Sequence, residues 1–307
     1  MRTAGALRDR AVGALLGLAC GDALGVPYEF DHLALGPDEE PRPCGGGPAG
    51  FAPGEWSDDT AMAIAVAQGL AAGGSLAERL DAVAGRFLDW YDAEPADIGR
   101  QTRAVLSAVA AGPRTGAAMR AHATSYARTH PHAAGNGALM RTAPVALAFL
   151  DDRAACAEAA RAVAGLTHAD PQAQDACVLW TEAIRVAVTA GDLAVAAGLD
   201  LVEDRWRVIL AEAATGDLGH FHPNGWAVRT VQVAYGAILR AGGDLEESLA
   251  AAIRVGDDTD TTAAVAGSLL GALHGASAVP QRWLAPLHGW PGLRAADLAE
   301  LALRLVG

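Results

Sequence analysis

Apolar residues recur at helical spacing through most of this chain, and no convincing run alternates with period two. A chain patterned this way packs helix on helix. Its packing material is small: 51% of the 307 residues are hydrophobic but only 5% aromatic, with Ala and Leu abundant and 36 Gly. Small side chains let helix axes approach closely. The apolar share excludes intrinsic disorder, and a chain of this length buries roughly three quarters of its unfolded surface. The spacing predicts helices over 11–19, 60–72, 76–90, 100–111, 139–150, 153–166, 175–189, 194–214, 226–241, 245–254, 261–274 and 295–306. A Gly- and Pro-dense loop spans 36–54 and a turn spans 131–137. No linker divides the chain and no solenoid period is visible. The expectation is a single all-α domain over residues 1–307.

Charge narrows the partners. The formal net charge is −13, from 23 basic and 36 acidic residues. Phosphate neutralisation dominates nucleic-acid affinity, so an acidic chain without a basic stripe is not expected to bind nucleic acid. The same balance disfavours an anionic membrane surface. An anionic substrate would need local donors or divalent cations to overcome the repulsion. Cys20, Cys44, Cys156 and Cys177 form no C-x-x-C pair, which suits free thiols in the cytoplasm. Residues 1–22 have a signal peptide as their rival reading, but the apolar run continues unbroken into Gly21-Asp22-Ala23-Leu24-Gly25. Residues 261–281 are uncharged and long enough to span a bilayer. Their Ala, Gly, Ser and Thr content, with His274 and Pro280 inside, reads instead as a buried central helix.

Two acidic clusters carry the chemistry. Trp56-Ser57-Asp58-Asp59-Thr60 and Gly256-Asp257-Asp258-Thr259-Asp260-Thr261 each precede a helix. As two N-caps they would need one carboxylate or hydroxyl apiece. The extra carboxylates repel one another and lose solvation unless a positive charge lies between them. A set of Asp, Ser and Thr without His or Cys suits Mg²⁺, Mn²⁺ or Ca²⁺ and disfavours zinc. Should the clusters meet, five carboxylates converge, enough for two divalent ions ~4 Å apart. Two further segments stand out. Gly21-Asp22-Ala23-Leu24-Gly25-Val26-Pro27-Tyr28-Glu29 marks a turn after a buried helix. Gly135-Asn136-Gly137-Ala138-Leu139-Met140-Arg141 places two glycines at a helix start and an Arg one turn in, the makings of a phosphate cradle.

Together the four segments resemble the ADP-ribosylglycohydrolase family, which includes the dinitrogenase-reductase-activating glycohydrolases. The matched stretch runs from residue 17 to about residue 275. The resemblance implies a compact all-helical domain holding a binuclear Mg²⁺ centre, with Mn²⁺ sharing the same ligand preferences. The positions matching its metal ligands are Ser57, Asp58, Asp59, Asp258, Asp260 and Thr261, with Asp260 matching a bridge between the ions. Glu29 matches an acidic residue on a flap near the metals. Gly135, Asn136, Gly137 and Met140, with Arg141 beside them, match the stretch around the diphosphate and distal ribose. His168 matches a position near the ADP-ribose, although read alone it is equally an interhelical histidine. Asp97-Ile98-Gly99 is similar to a stretch in bacterial members acting on ADP-ribosyl-arginine, where the Asp faces the guanidinium. Read alone, Asp97 is a cap for the helix starting near Arg100.

The implied reaction is hydrolysis at C1 of the distal ribose, with Asp59 or Glu29 as general base and Asp97 orienting the leaving guanidine. The implied partner is the ADP-ribose moiety of a modified protein or small molecule. Serine-linked or other ADP-ribosyl conjugates are the alternative substrates, and a non-catalytic ADP-ribose-binding protein is the alternative from another class. The segment His220-Phe221-His222-Pro223-Asn224-Gly225-Trp226 reads as an access loop, and its histidines would hold a metal only with a third ligand from elsewhere.

Overall fold

The computed structural model describes residues 4–307. Among them are fourteen α-helices. In chain order they are α1 (Ala4–Gly25), α2 (Asp58–Ala71), α3 (Leu76–Asp92), α4 (Arg100–Ala110), α5 (Gly116–Thr129), α6 (Ala143–Ala148) and α7 (Arg153–Ala164). Then follow α8 (Pro171–Ala190), α9 (Arg205–Thr215), α10 (Ala227–Arg240), α11 (Leu245–Ile253), α12 (Thr259–His274), α13 (Gln281–Leu284) and α14 (Ala295–Val306). The all-α expectation holds. One short antiparallel hairpin, β1 (His288–Gly289) with β2 (Leu293–Arg294), is the paired-strand element among the described residues.

The centre of the molecule is α1 lying antiparallel against α12. From Ala11 to Gly25 every residue of α1 is buried. Gly13, Gly17, Gly21 and Gly25 recur at i+4, so they form one stripe along α1. A Cβ on Gly13 would overlap the carbonyl of Gly271, one on Gly17 the carbonyl of Gly267, and one on Gly21 the carbonyl of Ala263. One on Gly25 would collide with the backbone of Asp260. Backbone therefore meets backbone along four turns. This register brings the C-terminal end of α1 beside the N-terminal end of α12. α1 is long and apolar enough to cross a membrane, but 94% of the relevant stretch is buried inside the protein. α8 packs on the same centre, where buried Trp180 donates from Nε1 to the Val265 carbonyl at 3.0 Å.

Three sequence expectations are corrected. The helix expected over 139–150 shrinks to Ala143–Ala148. Pro144 lacks an N–H and disfavours helical conformation in the residue before it, so it sits at the first turn. The helix expected over 194–214 breaks into the 3₁₀ turn Val195–Gly198 and α9. Arg153 donates to the Ala197 carbonyl and Arg161 to the Leu201 carbonyl, so side chains from α7 occupy acceptors a helix would use. α5 was absent from the pattern because it buries only Gly116, Met119 and Ala123.

Candidate active site

Each acidic cluster is delivered by a helix start. Ser57 caps α2 by accepting from the Asp59 N–H. The capping reading is thus right for Ser57, and it leaves both following carboxylates unexplained. Asp58 and Asp59 are buried, Asp59 completely. At α12 the N-cap residue Asp258 makes no side-chain cap bond. Its Oδ2 instead accepts from Asn136 Nδ2 at 2.8 Å. Segment 54–56 is held by the hairpin: Trp56 N–H donates to the His288 carbonyl, and Trp56 Nε1 to the Trp290 carbonyl.

The two clusters meet. Ser57 Oγ donates to Asp59 Oδ2 at 3.1 Å, and Thr261 Oγ1 donates to the same oxygen at 3.3 Å. Asp59 Oδ1 is buried with no hydrogen-bond partner. Asp22, Asp59 and Asp260 bring carboxylate oxygens within 4.8 Å of one another, and so do Glu29, Asp97 and Asp260. Asp260 therefore belongs to both trios. Asp58 and Asp258 stand outside them. Asp22 and Asp97 join, Asp97 from the loop before α4, whose N-cap is Gly99. Asp97 is thus not the cap of α4.

Burial and mutual repulsion raise these carboxyls together. Glu29 is pushed up to about 9 by burial and by Asp97, Asp258, Asp58 and Asp22. Asp58, Asp59 and Asp260 are driven well above the usual carboxylate range, chiefly by burial and then by their neighbours. Asp97 is raised by burial and by Asp258, against some relief from its Ile98 backbone contact and Arg103. An all-oxygen donor set with a buried, unpaired carboxylate oxygen and this much crowded negative charge fits one or more hard divalent cations. Histidines do not contribute among the described residues: His222 faces Asp257 at 3.7 Å and joins neither trio.

Asp22 has a role the sequence did not disclose. Fully buried at the end of α1, it accepts from Ser57 N–H at 2.9 Å, Thr60 N–H at 3.0 Å and Thr60 Oγ1 at 2.6 Å. It is the far-side cap of α2, fixing the turn that presents Asp58 and Asp59. The segment before α10 likewise gains an account. Fully buried Asn224 accepts from Asp258 N–H at 2.9 Å and donates from Nδ2 to the Gly256 carbonyl at 3.0 Å. Its own N–H donates to Asp257 Oδ2 at 2.7 Å. This clamp holds Asp257 in a left-handed conformation (φ 66°) and sets the entry into α12. Glu29 is anchored from the same turn, because the next residue, Phe30, donates its N–H to the Asp257 carbonyl at 2.7 Å.

The Gly135–Arg141 stretch adjoins the cluster but is not the start of a long helix. Asn136–Ala138 is a single 3₁₀ turn, so any anion there meets loop amides rather than a helix dipole. Asn136 N–H donates to the Gly225 carbonyl, and Ala227 N–H to the Ala134 carbonyl. Gly135 and Gly137 face His168: a Cβ on either would lie 3.5 or 3.3 Å from its Nε2. Met140 is buried beneath. Arg141 departs from the expected cradle. It is fully buried, stacked 4.5 Å over the Phe87 ring, and donates to Met62 Sδ and Thr167 Oγ1. It lies behind the loop, drawn inward by those partners. Trp226 is exposed beside Gly135, with the Arg229 guanidinium 5.8 Å from the centroid of its ring.

Known proteins match along the whole chain. The family model described as ADP-ribosylglycohydrolase matches residues 3–307. An ADP-ribosylarginine hydrolase Tri1 of Pseudomonas putida (strain GB-1) is 30% identical over 286 residues, 90% of this chain and 73% of that protein. An ADP-ribosyl-[dinitrogen reductase] glycohydrolase of Rhodospirillum rubrum is 29% identical, covering 93% of this chain and 92% of that one. A solved structure titled ADP-ribosylglycohydrolase-related protein complex superposes with a TM-score of 0.74 at 32% identity, over 98% of both chains.

Proposed function

The chain belongs to the ADP-ribosylglycohydrolase family and is a hydrolase of ADP-ribosyl bonds, and from that premise we propose that it releases ADP-ribose from N-linked ADP-ribosyl-arginine in the cytoplasm. One observation carries the reading: Asp97, freed from capping α4, shares a carboxylate cluster with Glu29 and Asp260. A carboxylate there suits a guanidinium, which it can bind through two parallel hydrogen bonds. The Pseudomonas relative is named for ADP-ribosylarginine, which supports the arginine linkage, and the Rhodospirillum relative for an ADP-ribosylated protein.

Ser57, Asp58, Asp59, Asp258, Asp260 and Thr261 would hold two divalent cations, Mg²⁺ or Mn²⁺, which when bound supply Lewis-acid polarisation and acidify a water. The remaining chemistry belongs to the chain. Glu29, with Asp59 as the second candidate, takes a proton from the attacking water. The water oxygen bonds to C1 as the C1–N bond breaks through an oxocarbenium-like state. The electron pair leaves on the guanidine nitrogen, the proton taken up by Glu29 passes to that nitrogen as it departs, and Asp97 holds the group in line. The Asn136 side chain and the Gly135 and Gly137 amides orient the diphosphate and distal ribose.

The test is release of free ADP-ribose from arginine-linked and serine-linked ADP-ribosyl peptides, each with Mg²⁺, Mn²⁺ or EDTA. Cation-dependent release from the arginine substrate alone is the expected result. Release from the serine substrate alone would remove the role given to Asp97. Binding of ADP-ribose without release from either would overturn the hydrolytic reading.

A further inference from the structure

Arg141 and Thr167 have no part in that chemistry, yet they are buried in direct line with a residue that faces it. Arg141 Nη2 donates to Thr167 Oγ1 at 2.5 Å, and Thr167 Oγ1 lies 2.7 Å from His168 Nδ1. Arg141 and Thr167 are fully buried and His168 nearly so. A guanidinium only donates, so Thr167 Oγ1 must accept from it. The single hydroxyl hydrogen of Thr167 then needs an acceptor. Among the described residues the group that can serve is His168 Nδ1. Were Nδ1 protonated, the buried hydroxyl hydrogen would have no partner. The proton of a neutral imidazole therefore sits on Nε2. Burial and the Arg141 charge hold the imidazole neutral, with its pKa lowered to about 3.

The frame around this relay is rigid. Gln101 Nε2 donates to the Thr167 carbonyl at 2.8 Å, and His168 N–H donates to the Ala164 carbonyl at 2.8 Å. Phe87 closes the other face of Arg141. Nε2 has no acceptor among the described residues, and it points toward Gly135 and Gly137, which carry no side chain to block it.

We propose that Arg141 and Thr167 are positioning residues that lock His168 as its Nε2–H tautomer, so that His168 donates a hydrogen bond to an oxygen of the ADP-ribosyl group lying along Gly135–Gly137. The ligand half of this rests on the function proposed above; the tautomer half does not. His168 is then a donor to an anion or hydroxyl and not a metal ligand, which would need a bare Nε2.

Long-range ¹H–¹⁵N correlation spectra of the metal-loaded protein test the tautomer, with His168 assigned among the nine histidines by its loss in His168→Gln. The expected spectrum shows a bare Nδ1 and a protonated Nε2, and free ADP-ribose shifts the Nε2 proton. Thr167→Val is expected to weaken ADP-ribose binding and raise KM by roughly tenfold with little change in kcat, while Thr167→Ser restores both. A bare Nε2 in the wild-type spectrum overturns the proposal even if Thr167→Val fails to fold. So does an Nε2 proton indifferent to ADP-ribose in a protein that hydrolyses the arginine substrate, or wild-type KM in Thr167→Val. A protein that hydrolyses no ADP-ribosyl substrate but shows Nε2–H shifted by ADP-ribose defeats the proposed reaction and upholds the relay.

Discussion

Thr261 Oγ1 donates to Asp59 Oδ2 at 3.3 Å across 202 positions of sequence. That contact joins the start of α12 to the start of α2 and closes the carboxylate cluster. Asp260, beside Thr261, belongs to both carboxylate trios, so its removal should empty both at once. Asp260→Ala and Asp58→Ala are expected to abolish Mg²⁺ binding by calorimetry and reduce turnover below detection, with the helical circular dichroism unchanged. In EDTA the Asp58→Asn protein should melt higher than wild type, by roughly 2–4 °C for each kcal/mol of relieved repulsion. Full activity in Asp260→Ala would end the metal reading.

The crowded carboxyls make metal-free stability depend on pH. Glu29 is pushed up to about 9 and Asp22 to about 6, both first by burial. In the unfolded chain such groups titrate near 4. The folded protein therefore binds more protons than the unfolded one, so its stability falls as pH rises through that window. In EDTA the melting temperature should drop steadily between about pH 5 and about pH 9, at about 1.4 kcal/mol per pH unit for each extra proton held. With Mg²⁺ the slope should flatten, because the cation replaces those protons. Thermal melts across pH with and without the cation decide it, and equal slopes would contradict the assignment.

The backbone contact of α1 and α12 carries both stability and the site. Gly17→Ala would drive a methyl into the Gly267 carbonyl, which cannot swing aside as a side chain tip can. Overpacking of this kind costs about 1–3 kcal/mol or more. Asp22 ends one helix of the pair and Asp260 begins the other, so Mg²⁺ affinity should fall with stability. Gly85→Ala is the control. That glycine lies inside α3 with open space around its Cβ position, so alanine should stabilise by about 0.5–1 kcal/mol.

What the sequence made legible was local. Helical spacing announced the all-α class, and the runs Ser57–Asp59 and Asp258–Thr261 announced carboxylates beyond what capping requires. Nothing in those runs showed which oxygens would meet: Asp22 and Asp97 complete the two trios, while Asp58 and Asp258 stand outside them. The role of Asp22 was hidden because its partners lie 35 and 38 positions away, at the start of another helix. Arg141 was read as facing an anion from its place after two glycines. Its true partners, Met62, Phe87 and Thr167, are supplied by three other segments. Asn224 was unreadable for the same reason, its hydrogen bonds closing on the turn before α12.

Asn224 is the sharpest probe of that long-range order. It touches no carboxylate trio, yet its side chain satisfies the Asp258 N–H and the Gly256 carbonyl together. Asn224→Ala leaves both backbone groups unpaired where Asp257 already holds a left-handed conformation. The turn should relax, carrying with it Asp258 and the Asp257 carbonyl that anchors Phe30 and hence Glu29. Groups that orient metal ligands without binding the metal change affinity or activity by about 10–100-fold when lost. Asn224→Ala should therefore lower kcat/KM and Mg²⁺ affinity within that range. Asn224→Asp keeps the acceptor for the Asp258 N–H but loses the donor to Gly256 and adds a negative charge beside Asp257, so it should not restore activity. Wild-type kcat/KM in Asn224→Ala would show that the entry into α12 is set by the helix packing alone.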